Sequence, residues 1–272
     1  MSRAKVVKIG VLGGAGRMGQ MIAREVLSGK HKAKIVAAVE HKKSWAIGKD
    51  IGGILGMDAT GITVTTNKDE AFHEADVLID FTTPDGTLEH AEMAYRHGKA
   101  LVVGTTGLSS AEMAAIKTAS KKAPMLQAAN MSVGVNLLLS MVEHMAQMLD
   151  EEYDIEIFEA HHRHKVDAPS GTAYALGIAA ARGRGVKLED AIIPARFGQI
   201  GARPPGSIGF QVFRGGDVVG DHTVTFAGTG ERIELSHKAS DRSLFAKGAV
   251  RAALWLAQQK PGFYSMKDVL GL

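Results

Sequence analysis

The 272-residue chain contains no cysteine. Disulfides, a thiolate nucleophile and a cysteine-ligated zinc site are therefore excluded, and a reducing compartment fits. An excess of one charge is also missing. Lys and Arg number 32 against 29 Asp and Glu, a formal net charge of +3, and the basic residues are scattered rather than gathered in blocks. That distribution does not call for nucleic acid as a partner. No apolar run reaches the roughly 20 residues a membrane span needs, and the first apolar segment, 6–12, is too short and interrupted for a secretory signal core. Internal repeats and low-complexity tracts are absent as well. The expectation is a soluble, cytoplasmic protein with no membrane partner, long enough for two domains.

What is present is an alternation of short β-branched runs and longer amphipathic segments. Strands are expected at 6–12, 34–40, 77–81, 100–103 and 125–128, with helices at 17–28, 87–97 and 109–121. This is the grammar of an α/β, Rossmann-type, doubly wound parallel sheet. Residues 45–61 break the rhythm with five glycines and read as a surface excursion. Beyond 130 the pattern changes. A long apolar helix at 135–149 leads to an alternating strand at 153–159, and three late strands at 208–214, 218–226 and 232–237 suggest a second, α+β domain on a mixed or antiparallel sheet. Gly215-Gly216-Asp217 and Gly228-Thr229-Gly230 read as hairpin turns. The Gly-, Pro- and Arg-rich stretch 194–206 reads as a mobile loop or lid, and a last helix at 243–258 is compatible with either domain.

Gly14-Ala15-Gly16-Arg17-Met18-Gly19 matches G-x-G-x-x-G between an expected strand and an expected helix. The first glycine permits the turn, the second lets a pyrophosphate reach the backbone, and the third allows close packing of helix on strand. The helix N-terminus then supplies N–H groups and positive dipole to the phosphates. About twenty residues on, Glu40 ends the second strand, where a carboxylate takes the adenosine ribose hydroxyls. His41, Lys42 and Lys43 follow; they are either a solvated turn or contacts to a ribose 2′-phosphate, so NADH and NADPH both fit. Loops 104–107 and 128–131 leave the carboxyl ends of expected strands, where open α/β sheets bind ligands.

The densest cluster of reactive groups is Glu159-Ala160-His161-His162-Arg163-His164-Lys165-Val166-Asp167-Ala168-Pro169-Ser170-Gly171-Thr172, which begins where a strand ends. Pro169 halts a helix and Ser170 or Thr172 can cap the next one. Its N-terminus at Gly171 and Thr172, with the cations nearby, would attract a dianionic, dicarboxylate substrate. No metal site is expected, because Arg163 and Lys165 interleave the histidines and would repel a dication.

These residues resemble one family, the 4-hydroxy-tetrahydrodipicolinate (dihydrodipicolinate) reductases of lysine and diaminopimelate biosynthesis. The resemblance runs nearly end to end. It rests on GGAGRMG at 13–19, DFT at 80–82, GTTG at 104–107, AANMSVGVN at 128–136 and, most specifically, EAHHRHKVDAPSGTA at 159–173. It implies reduction of a cyclic unsaturated dicarboxylate by hydride from NADH or NADPH. By matching position, His161 is a proton donor or acceptor and Lys165 the proton donor, with His162, Gly171 and Thr172 on the substrate. The cofactor side carries over Gly13, Gly14, Ala15, Gly16, Arg17, Met18, Glu40, Gly104, Thr105, Thr106, Ala128, Ala129, Asn130 and Met131. His41 stands where many members have Arg, which opens the choice between NADH and NADPH. The resemblance further implies a cofactor domain of 1–131 plus 243–272, a substrate and oligomerisation domain of 132–242, and a homotetramer. Two rival functions keep the glycine turn: another dehydrogenase, for which Lys165 is dispensable, and a non-catalytic nucleotide sensor.

Overall fold

The computed structural model describes residues 5–272; the first four positions of the expected cofactor domain lie outside the described residues. The chain forms two compact units, one holding the residues up to Ser132 together with Ser243–Gly271, the other Val133–Arg242.

The first unit begins with β1 (Val7–Leu12), α1 (Arg17–Leu27), β2 (Ala33–Val39), α2 (Ile51–Ile54), β3 (Val64–Thr65) and α3 (Lys68–Glu74). It continues through β4 (Val77–Asp80), α4 (Pro84–His97), β5 (Ala100–Val103), α5 (Ser110–Ala119) and β6 (Pro124–Gln127). The second unit holds α6 (Val133–Met148), β7 (Asp154–His161), α7 (Gly171–Gly183), α8 (Leu188–Ala191), β8 (Ile192–Ile193), β9 (Ile208–Arg214), β10 (Gly220–Gly228) and β11 (Glu231–Ala239). The chain returns to the first unit with α9 (Ser243–Leu256), β12 (Gly262–Tyr264) and α10 (Met266–Leu270).

The first unit is a seven-stranded parallel sheet in the order β12-β6-β5-β4-β1-β2-β3. Both β4 and β5 are buried at every residue, as strands covered on both faces must be, so they lack a two-residue alternation. In α1 the buried positions Gly19, Ile22, Ala23 and Val26 recur at helical spacing, which is why that helix was legible. Thr83 caps α4 ahead of Pro84, and Gly98 (φ 63°) ends it. The glycine-rich stretch 45–61 is more than a surface excursion: Ala46, Ile51 and Leu55 are buried. The Asp50 carboxylate accepts the N–H groups of Gly52, Gly53 and Thr60, so the segment folds around a polar cap that carries no periodic signal.

The second unit is a mixed five-stranded sheet, β11-β10-β7-β9-β8, with α6 and α7 packed on the face that carries Ile155, Ile157, Val224 and Phe226. Thr229-Gly230 is the expected hairpin turn, with Gly228 paired to Glu231 and Gly230 at φ +88°. Gly215-Gly216-Asp217 is not. Here β9 runs parallel to β7 while β10 runs antiparallel to its other edge, so 215–219 crosses the end of β7. Gly215 N–H donates to the His161 carbonyl and His162 N–H to the Val218 carbonyl. Stretch 194–206 has no regular element, but Arg196 and Arg203 tie it to the Glu156 carboxylate on β7.

The helix α9 packs against α1 and the parallel sheet of the first unit. Its Gly248 lies so close to the 128–131 loop that a Cβ there would stand 1.7 Å from the Met131 carbonyl oxygen. Helix propensity alone would make Gly248→Ala stabilising by about 1 kcal/mol. The expected result is the opposite sign, a loss of about 1–3 kcal/mol measured by urea unfolding; a gain would mean that this contact is not made.

Candidate active site

Five adjacent strands of the first unit, β6-β5-β4-β1-β2, end along one edge, and each carboxyl-terminal loop carries one of the expected cofactor segments or adjoins one. Gly13, Gly14, Ala15 and Gly16 form the β1–α1 turn, and Arg17 and Met18 begin α1. Gly13 sits at φ +76°, and a Cβ on Gly19 would stand 2.0 Å from the Gly13 carbonyl oxygen. Among the described residues no side chain caps the first turn of α1, so its N–H groups can face an anion. Glu40 is hydrogen-bonded to the turn itself: Ala15 N–H donates to Oε1 at 3.0 Å and His41 N–H to Oε2 at 3.3 Å. The cradle therefore fits a dinucleotide, with backbone approach at the turn and a carboxylate at the ribose position. Gly13, Gly16, Glu40 and His41 line a cavity of about 300 Å³; Lys42 and Lys43 do not.

The Gly104-Thr105-Thr106 and Ala128-Ala129-Asn130-Met131 loops follow β5 and β6, stitched together by Ala128 N–H to the Val103 carbonyl. A residue pair outside the expected set, Asp80 and His90, supports the first of these loops. Asp80, fully buried at the end of β4, accepts from Thr82 N–H (3.0 Å) and Thr82 Oγ1 (2.6 Å) and meets His90 Nδ1 at 3.1 Å. Thr105 is buried and its Oγ1 receives Thr82 N–H and pairs with Thr87 Oγ1, so its hydroxyl is engaged with the β4–α4 segment while Thr106 is exposed. Any Cβ on Gly104 would collide with the Phe81 ring at 2.2 Å. The DFT motif thus braces the GTTG loop.

In the second unit His161 is the last residue of β7, and His162 and Lys165 follow in the turn toward α7. The centre of the cluster is Glu159, with no exposed surface. Its carboxylate receives both Arg214 terminal nitrogens at 2.8 Å, Ser170 N–H at 2.8 Å and His161 Nδ1 at 2.6 Å. Arg214 also donates to the Asp167 carbonyl, and Lys165 Nζ meets Asp167 Oδ1 at 2.7 Å. Ser170 caps α7 through Ala173 N–H and shares its hydroxyl with His222 Nε2 at 3.0 Å. Gly171 and Thr172 then form the first turn of α7, and a Cβ at Gly171 would meet nothing within 4 Å. Glu159, Arg214, Ser170 and His222 were not assigned site roles in advance. The strand registers place three of them, His222 opposite Glu159 and Arg214 opposite His161, and Ser170 reaches Glu159 as the cap of α7.

Burial raises the Glu159 carboxyl, but the hydrogen bonds from Arg214, His161 and Ser170 outweigh it and hold the group below the usual carboxylate range. For His161 burial lowers the imidazole value, and the Glu159 hydrogen bond only partly opposes this. With Nδ1–H given to Glu159, its other nitrogen, Nε2, is the one left for chemistry; a Cβ on Gly220 would lie 3.0 Å from it. The His222 ring packs edge-on against His161 at 5.2 Å, and burial pushes it down to about 4.

The unfolded chain takes up this proton near 6.5 and the folded chain only near 4. The His222 contribution is therefore undiminished above about pH 6.5 and is lost as pH falls toward 4, at about 1.4 kcal/mol per pH unit, or about 3 kcal/mol across the window. His222→Gln is expected to flatten the acid side of the stability profile, read from urea unfolding between pH 7 and 4.5. Parallel profiles for variant and parent would contradict a buried neutral His222.

The family described as dihydrodipicolinate reductase, N-terminus, matches residues 7–131, and the family described as dihydrodipicolinate reductase, C-terminus, matches 134–270. A 4-hydroxy-tetrahydrodipicolinate reductase of Cereibacter sphaeroides is 52% identical over 262 residues, covering 96% of this chain and 97% of the relative. That of Bordetella pertussis is 49% identical over 272 residues, covering all of both chains. Among solved structures, dipicolinate-bound dihydrodipicolinate reductase from Paenisporosarcina sp. TG-14 shares the fold with a TM-score of 0.76 at 23% identity, covering 96% and 97% of the two chains. With both halves matched and about half of all positions identical along its length, the chain belongs to the dihydrodipicolinate reductase family.

Proposed function

We propose that the chain reduces 4-hydroxy-tetrahydrodipicolinate to tetrahydrodipicolinate with NADH or NADPH, in lysine and diaminopimelate biosynthesis, using His161 and Lys165 to handle protons. It is an oxidoreductase of its family. The observation that carries the residue assignment is the Glu159 centre, which fixes the His161 ring and the N-terminus of α7 through a single buried carboxylate. When bound, the nicotinamide would supply a hydride. The 4-hydroxyl leaves as water with a proton from the neighbouring ring carbon, which gives a carbon–carbon double bond conjugated with the imine; hydride addition at the far carbon of that system moves an electron pair onto the imine nitrogen, which then takes a proton. Lys165, held beside Asp167, donates to that nitrogen, and His161 passes a proton through Nε2. His162, whose Nδ1 is buried with no hydrogen-bond partner among the described residues, and the N–H groups of Gly171 and Thr172 take a substrate carboxylate at the dipole end of α7. On the cofactor side the residues from Gly13 to Met18, with Glu40 and His41, hold the adenosine half. Gly104, Thr105, Thr106 and the 128–131 loop hold the nicotinamide half.

The working form proposed is a cytoplasmic homotetramer. Among the described residues no helix is long and apolar enough to cross a membrane. The sheet face of the second unit turned away from α6 and α7 exposes Phe158 (40%) and Phe213 (47%), which supports its burial against other copies.

Substrate-dependent oxidation of NADH or NADPH with freshly generated substrate is the direct test; no turnover with either ends the proposal. Lys165→Ala is expected to lower kcat about 10²- to 10⁴-fold while cofactor affinity by titration stays unchanged, and wild-type turnover would exclude Lys165 as the acid. Sedimentation should give four copies for the parent and fewer for Phe158→Glu; a monomeric parent would remove the tetramer.

A further inference from the structure

The cavity beside the glycine turn is also lined by a lysine. Lys68, the first residue of α3, lines it together with Glu40 and His41. Glu40 presents a carboxylate whose two oxygens already accept backbone N–H groups; it suits ribose hydroxyls and repels a phosphate ester at the same place. His41 Nδ1 accepts the Lys43 N–H, which leaves Nε2 as the ring's donor. The ammonium that can balance a phosphate in this cavity is therefore that of Lys68. In the structure it is paired with Glu89 of α4, a residue with more than half of its side chain exposed. The Lys68 side chain is itself 28% exposed, so the pair is open chiefly on its Glu89 side, where a stronger anion can displace the carboxylate. A phosphate monoester brings more charge and three acceptor oxygens.

Resting on the nicotinamide-cofactor reading above, we propose that Lys68 recognises a 2′-phosphate on the adenosine ribose, and that Glu89 is the counter-ion holding it when that phosphate is absent. Glu40 then serves the unphosphorylated cofactor and Lys68 the phosphorylated one. Cofactor choice depends on how firmly α4 retains the ammonium, and not on the residue after Glu40 alone.

The test is calorimetric titration of the full chain with two probes, ADP-ribose and its 2′-phosphorylated form, at fixed ionic strength. Lys68→Met is expected to weaken the phosphorylated probe about tenfold and leave ADP-ribose within about twofold. Glu89→Gln should strengthen the phosphorylated probe about threefold, with ADP-ribose again unmoved. Equal weakening of both probes by Lys68→Met would assign Lys68 to structure, and no change with either variant would exclude it from the site; each overturns the proposal. A parent that binds ADP-ribose but not the phosphorylated probe, unrelieved in Glu89→Gln, overturns it too while leaving the cofactor reading intact. A parent that binds neither probe defeats both.

Discussion

A carboxylate with no solvent must find donors for both oxygens or lose several kcal/mol of solvation. Glu159 is in that position, and the second unit is arranged around meeting its demand. Arg214 satisfies one edge bidentately, Ser170 N–H approaches Oε1, and His161 Nδ1 takes Oε2. Each donor sits on a different segment: the end of β9, the cap of α7 and the end of β7. One anion therefore fixes the relative placement of three chain segments, and the candidate proton-handling ring is oriented by the same bonds. Arg214 reaches on to the Asp167 carbonyl, which extends the constraint to the turn that carries Lys165.

The first unit solves a similar problem without a guanidinium. Asp80 is as deeply buried as Glu159, yet its donors are a backbone N–H, the Thr82 hydroxyl and an imidazole. Under the roles proposed above, the difference follows from what each site has to admit. Loops that receive a flat ring and a pyrophosphate need closely spaced backbone, hence Gly104 under Phe81 and Gly19 against Gly13, and the polar network beneath them supports their shape. A dianionic substrate instead needs cations near a helix N-terminus, and the Glu159–Arg214 pair supplies a rigid, neutralised floor for them.

The legible features were local ones. Gly14, Gly16, Gly19 and Glu40 lie within one β-α-β unit, so strand, turn, helix and acid could be placed from spacing, and the buried stripe of α1 recurs at 3.6-residue intervals. The seven-residue α3 was invisible because only Ala71 and Phe72 are buried in it, too few to establish a period, and with it went Lys68. Asp80 could have been suspected from its place at a strand end in line with the other loops. Arg214 could not: it meets Glu159 across 55 residues, through a strand register that no local pattern encodes. The conformational demands of the 45–61 segment are met by Asp50, whose bonds run to a threonine ten residues on.

The misplaced hairpin is instructive in the same way, because the local chemistry at Gly215-Gly216-Asp217 is turn chemistry, with Gly216 at φ +54°. A two-strand hairpin there would have made β9 and β10 neighbours and left β7 with only one of them at its side. The observed order seats β7 between them, so Glu159 has His222 across one edge and Arg214 across the other. Since β9 runs with β7 and β10 against it, the end of β9, the start of β10 and the end of β7 all arrive at one border of the sheet. The crossing segment bonds to the backbone of His161, His162 and Arg163. Convergence of titratable groups at that border is thus a product of strand order, and the glycines at 215 and 216 serve the passage over β7 rather than a reversal beside it.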